Sequence, residues 1–203
     1  MIRKHPLLAA FVALYMVGFT ARAVLVGNYE FLFYAAVMVV LAGGVMAMNA
    51  RVRFSTLVLW LLAAWGFLHM AGGNVPIPAS LAPDWTPPSP GARTVLYNMR
   101  PAAWMPKYDQ IVHAFGFFSA TLACAEALAA AVPGLRLSLG VRIAIFCMGM
   151  GLGAANEVVE FVATRFMETN VGDFVNTGWD LVSNMTGATI AAIVAGRIGK
   201  PLG

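Results

Sequence analysis

Six apolar runs, near residues 6–27, 31–48, 55–72, 108–132, 139–165 and 177–196, leave this chain few ways to fold. Each is long enough, or nearly so, for a helix to cross about 30 Å of hydrocarbon. In that medium only helices and closed barrels satisfy their own backbone. With 60% hydrophobic and 11% charged residues and a mean hydropathy of +0.77, the chain is not an ordinary water-soluble domain. The expected fold class is all-α: a polytopic transmembrane helical bundle of six spans, forming a single transmembrane domain over 1–203. The first run also carries signal-peptide marks, with Arg3 and Lys4 before it and Ala21-Arg22-Ala23 at its end, but a spanning first helix is the expectation.

Six spans place both termini on one side, and the basic residues say which. Arg3, Lys4, Arg51, Arg53, Arg136, Arg142, Arg197 and Lys200 mark one set of ends and short loops, and His5 belongs with them. The positive-inside rule assigns that set to the cytoplasm. A net charge of +4 and a pI near 9.4 then reflect topology and anionic headgroups. No basic patch with interleaved aromatics is present, so nucleic acid is rejected as a partner. The longest connection, 73–107, holds eight of the eleven prolines together with Trp85 and Trp104. It reads as an irregular extracytoplasmic loop, either a lid or a connector on the headgroups. Cys124 and Cys147 lie well inside helices and are assigned neither a disulfide nor a metal.

Against this apolar background, ionisable residues gather at the outward ends of several runs: His69, Asp109, His113, Glu157, Glu160, Glu168, Asp173 and Asp180. An ionisable side chain deep in a bilayer costs roughly 2.5–3.5 kcal/mol, so several together imply pairing, a wet cavity or a bound cation. Asp109 and His113 are four apart and share a helix face, as do Glu157 and Glu160 at a spacing of three. Glu157 lies about 12 Å along its helix from Arg165, the expected outer boundary, and is the deepest acid. Asp180 and Asn184 repeat the spacing of four on the last run, Asp173 precedes it, and His69 comes from the third. Bundle-core metal sites are built from such convergent pairs. His69, His113, Glu157, Glu160 and Asp180 are the candidate metal ligands. The mixed nitrogen and oxygen set suits a divalent zinc, manganese or iron ion. Asp109 or Asp173 would be the general base and Asn184 an orienting hydrogen-bond partner.

Each residue also has a plainer role open to it. Asp109 in a first helical turn and Asp180 near the start of the last helix could serve as caps. Glu168 reads as solvated, and Arg22 could snorkel, neutralise the carboxylates or hold a headgroup. Glu126, set apart in the inward half of the fourth run, could be neutral or pair with Arg136 or Arg142. Gly149, Gly151 and Gly153 on the fifth run, and Gly187 with Ala188 on the sixth, are small residues that let helices approach closely.

The segments Tyr108-Asp109-Gln110-Ile111-Val112-His113, Asn156-Glu157-Val158-Val159-Glu160-Phe161 and Gly172 to Leu181, followed by Asn184 and Gly187-Ala188, resemble the YjdF-like family of bacterial inner-membrane proteins. More distantly, the last helix is similar to the Asp-x-x-x-Asn-x-x-Gly pattern of VanZ-like proteins. The resemblance covers about residues 65–190. It departs at Asn176 and Gly178, where the family commonly has an aspartate and a glutamine. It implies a multi-pass protein of the bacterial inner membrane without a settled activity, and VanZ-like relatives are associated with glycopeptide resistance at the envelope.

The leading functional expectation is a metal-dependent membrane enzyme, a hydrolase or transferase acting at the outer leaflet on a lipid or lipid-linked substrate. No serine or cysteine stands beside a histidine of the cluster, which argues against an acyl-enzyme. Two other classes remain open: an ion- or proton-coupled transporter using Glu126 as its inward relay, and a non-catalytic subunit or assembly factor with a structural metal site.

Overall fold

The computed structural model describes residues 4–86, 93–169 and 173–200. Arg3, part of the proline-rich loop at 87–92, and Val171-Gly172 of the last motif lie outside them. Six helices follow in order: α1 (Pro6–Val26), α2 (Tyr29–Val52), α3 (Thr56–Asn74), α4 (Tyr108–Ala131), α5 (Leu139–Thr164) and α6 (Phe174–Val194). Their starts follow from local chemistry. Pro6 opens α1, and Asn28, Ser55, Ser138 and Asp173 each accept a backbone N–H of the first turn of α2, α3, α5 and α6. Because Asp173 is the cap of α6, Asp180 is not one: it lies two turns into the helix and is 1% exposed.

Five of the six helices, α1 to α5, are long and apolar enough to cross a membrane. The 21-residue α6 is not among them, because Asn176, Asp180 and Asn184 interrupt its apolar sequence. Large apolar side chains such as Leu14, Leu25, Val40, Ile143, Phe161 and Ile193 stand exposed on the outside of the bundle. Such a surface is matched to hydrocarbon.

The helices alternate up and down. Leu8 at the start of α1 packs with Phe54, Val58 and Leu59 around the start of α3 and with Ala191 near the end of α6. At the opposite end Ala23, Phe31, Tyr34 and Met70 form a second apolar cluster. Helix α4 is central: it packs on α3, α5 and most extensively on α6, while α1 and α2 cover α3. The α4–α6 contact is backbone to backbone, since a Cβ on Gly187 would strike the Ala114 carbonyl oxygen. Gly149 faces Thr121 and Ala188, and Gly153 faces Asn184, as expected of packing glycines; Gly151 faces open space.

Of the two roles left open for Glu126, hydrogen bonding is the one found, not a pair with Arg136 or Arg142: it is buried and accepts hydrogen bonds from the backbone N–H groups of Ser55 (2.7 Å) and Lys200 (3.1 Å). Arg142 instead donates to the last carbonyls of α6, Ala192 (2.6 Å) and Ile193 (2.8 Å). At the other end Arg22 donates through Nε to the Asn74 carbonyl at 2.6 Å, closing the C-terminus of α3. In both cases a helix end offers carbonyls with no partner of their own, and a guanidinium takes them.

The described part of the 73–107 connection is more ordered than its prolines suggest. Short 3-10 turns occupy Ala79–Leu81 and Leu96–Asn98, and backbone bonds join Ile77 to Thr94 and Leu96 to Val75. Arg100 ties the segment together through Asp84 at 3.6 Å and the Met105 carbonyl at 2.9 Å.

Candidate metal centre

Three helices contribute polar faces at the end of the bundle near this loop. On α4, Asp109 sits in the first turn with His113 one turn deeper. On α5, Asn156, Glu157 and Glu160 share a face. On α6, Asn176, Asp180 and Asn184 recur every four residues and are 8%, 1% and 0% exposed. The α4–α6 backbone contact at Gly187 brings the first and last of these faces together.

His113 is the hub. Its Nδ1 lies 3.0 Å from Asn184 Oδ1 and 3.6 Å from Glu157 Oε1, and its Nε2 lies 3.6 Å from Asp109 Oδ1 and 3.7 Å from Glu160 Oε1. Asn184 sets which ring nitrogen carries the proton. Its Nδ2 faces Glu157 Oε1 at 3.3 Å, and when that carboxylate is ionised it only accepts, so the amide oxygen faces the ring. The proton therefore belongs on Nδ1, and in the neutral ring Nε2 presents a lone pair toward two carboxylate oxygens. Those separations are too long for hydrogen bonds. They suit two ligands of one ion, because donors each about 2.0–2.2 Å from a metal stand roughly 3–4 Å apart.

The rest of the network is built from amides. Asn176 donates to Asp180 Oδ2 at 2.6 Å and to Asp109 Oδ2 at 3.3 Å, while its own oxygen accepts from Lys107 Nζ at 2.9 Å. Asn156 donates to Glu160 at 2.7 Å. Among the described residues, two buried carboxylate oxygens have no hydrogen-bond partner, Glu157 Oε2 and Asp180 Oδ1, and two sets offer donor atoms within 4.8 Å of one another: Asp109, His113 and Asp180, and His113, Glu157 and Glu160. No described lysine or arginine forms an ion pair with any of the four carboxylates. A buried charge without a counter-charge is costly, and a bound cation answers that cost in the chemistry these donors prefer.

Of the candidates read from the sequence, His113, Glu157, Glu160, Asp180, Asp109 and Asn184 are thus brought together. His69 and Asp173 are not. The His69 ring is packed among Phe31, Tyr34, Trp65 and Tyr97, and its Nδ1 is engaged by the Tyr97 hydroxyl. Burial, and then the charges of Asp109 and Glu160, push the Tyr97 phenol well above its ordinary value, so it keeps its proton and donates it to that nitrogen. Asp173 is exposed and spends Oδ1 on the N–H groups of Val175 and Asn176, at 3.1 Å each. Glu168 is exposed and belongs to neither set of donor atoms.

Several members escaped the sequence reading. Asn176 continues the four-residue spacing of Asp180 and Asn184 back by one turn, which was the signal available for it. Lys107 stands just before Asp109, at the cap of α4. Glu30 is buried in the first turn of α2 and lies near enough to Glu160 to act on its charge; a run that begins at 31 leaves it outside. Tyr97 comes from the loop, where no periodicity points to it.

A family model described as a predicted membrane protein (DUF2238) matches residues 7–201, so the chain belongs to that family. The YjdF-like resemblance is consistent with it, and the match extends over α1 and α2, which the motifs did not reach; the VanZ-like resemblance has no counterpart in it. No curated protein and no solved structure matches the chain.

Proposed function

We propose that this member of the DUF2238 family is a metal-dependent integral membrane enzyme acting on a lipid or lipid-linked substrate at the outer leaflet of the bacterial inner membrane. One observation carries the reading: four carboxylates from three helices, two of them buried and two partly buried, surround one buried imidazole whose free nitrogen faces two of them, and among the described residues two of the carboxylate oxygens lack any partner. A divalent zinc, manganese or iron ion fits that donor set. When bound, such an ion polarises a substrate oxygen and makes water a nucleophile near neutral pH.

The protein's own groups divide the work. His113 Nε2 with Asp109, Glu157, Glu160 and Asp180 forms the ligand field. Asn184, bonded to both His113 and Glu157, holds the imidazole with Nε2 free. Asp109, whose side chain is 20% exposed and the most open of the cluster, stands at the mouth, where an incoming group would meet the ion it helps to hold. Lys107 stands beside Asn176 at the same mouth and supplies positive charge for an anionic headgroup. In this reading α6 is the sixth span, its polar face turned inward, with both termini in the cytoplasm beside Arg51, Arg53, Arg136 and Arg197.

The transport alternative needs an inward relay, and the acid nearest that role, Glu126, has its carboxylate held by two backbone N–H groups. The experiment is elemental analysis of detergent-purified wild-type protein beside His113→Ala and Glu157→Gln, with complementation of a lipid phenotype. Divalent metal in the wild type, lowered in both variants with loss of the phenotype, is the expected result. Protein that carries no stoichiometric metal, with both variants still complementing, would overturn the reading.

A further inference from the structure

The donor atoms fall into two groups rather than one. Asp109 and Asp180 approach His113 from α4 and α6, and Glu157 and Glu160 approach it from α5. Each group contains one carboxylate oxygen that nothing in the described protein satisfies: Asp180 Oδ1, on a residue 1% exposed, and Glu157 Oε2, on a residue 8% exposed. A single ion placed in one group leaves the orphan of the other unanswered.

Charge gives the same count. Asp109, Glu157, Glu160 and Asp180 bring four negative charges when ionised, and among the described residues His113 is the one side chain in ion-pair range of three of them. Lys107 reaches Asn176, a neutral amide, so its charge is shared at one remove. One divalent ion would leave about half of that negative charge uncompensated inside an apolar helical bundle, where an unpaired charge is costly. Two divalent ions balance it.

We propose that the centre is binuclear, with one divalent cation between Asp109 and Asp180, a second between Glu157 and Glu160, and His113 lying between the two positions. This rests on the metal-dependent reading above and adds its stoichiometry. His113 has one free nitrogen, so it ligates one of the two ions and the other has an all-oxygen field. Manganese or iron accepts both environments, whereas zinc favours the nitrogen-bearing one. Paired ions of this kind clamp the attacking and leaving oxygens of a displacement at phosphorus or a carbonyl. The substrate class this indicates is a phosphate-bearing lipid, whose headgroup Lys107 would meet at the mouth.

The test uses the full chain in detergent, stripped with chelator, reloaded with Mn2+ and freed of excess ion. Two manganese ions per chain with an exchange-coupled resonance signal are expected, and Asp180→Asn and Glu160→Gln should each halve the content to one uncoupled ion. The wild-type measurement needs no variant to fold. One manganese per chain, with the six-line signal of an isolated ion, overturns the binuclear centre and leaves the metal-dependent reading standing. No bound manganese, zinc or iron overturns both.

Discussion

Glu126 and the Glu157–Asp180 cluster are both buried acid sites in one apolar bundle, yet they are built in opposite ways. Glu126 is complete. Its two oxygens receive the N–H groups of Ser55 and Lys200, and the tail reaches it because Gly199, at a φ of 78°, allows the turn after α6. Lys200 adds a bond to the Val52 carbonyl at 2.8 Å, so the site staples the α2–α3 turn to the C-terminal segment. The cluster on α4, α5 and α6 is incomplete: among the described residues Glu157 Oε2 and Asp180 Oδ1 have no hydrogen-bond partner, and His113 Nε2 lies beyond hydrogen-bond reach of the carboxylates beside it. A satisfied acid holds a fold together, and an unsatisfied set is ready for a ligand.

The sharpest way to break that contrast is Glu126→Ala. It orphans two backbone donors in a closed site and should cost about 4 kcal/mol, while the metal content of the folded fraction stays at the wild-type level. A melting curve in detergent beside elemental analysis decides it, and loss of metal would show that the two sites are coupled. Chelation should act on the other region alone. At free ion about 100 times its Kd, removal should lower stability by about 2.7 kcal/mol, roughly 5–10 °C in Tm for a chain of this length. Glu157→Gln should shrink that shift to what the remaining ion contributes and leave the stripped protein no less stable, because it deletes a buried charge without a cationic partner. A chelator shift unchanged in the variant would place the ions elsewhere.

A smaller effect is expected from the helix contact that assembles the cluster. Gly187→Ala pushes α6 off α4 and should cost about 1–3 kcal/mol and weaken metal retention, since Asp109 and Asp180 would separate. Gly151→Ala, facing open space, should stay within about 0.5 kcal/mol. Equal effects of the two would refute the close approach. Asp173→Ala should fall between these two: loss of the α6 cap should cost about 1 kcal/mol with metal content unchanged, read by the same pair of measurements.

Much of this arrangement was legible in the chain itself. Spacings of three and four placed Asp109 with His113, Glu157 with Glu160 and Asp180 with Asn184, because the helical period is a local property. The period does not say how far each helix is rotated or how deep it sits. His69 had the right residue type and the right end of a run, but α3 presents it to Phe31, Tyr34 and the Tyr97 hydroxyl. Asn176 looked like a departure from the resemblance, and it bridges Asp109 to Asp180. Glu126 looked like a relay and is a clasp.

The sequence alone determined that the chain is a helical membrane protein and which acids and imidazoles share a face, since both follow from hydropathy and from 3.6 residues per turn. Only the tertiary structure decided which faces meet, because that depends on the Gly187–Ala114 approach of α6 to α4 and on a loop tyrosine far from either in sequence. Those contacts are made between segments, and no local pattern encodes them.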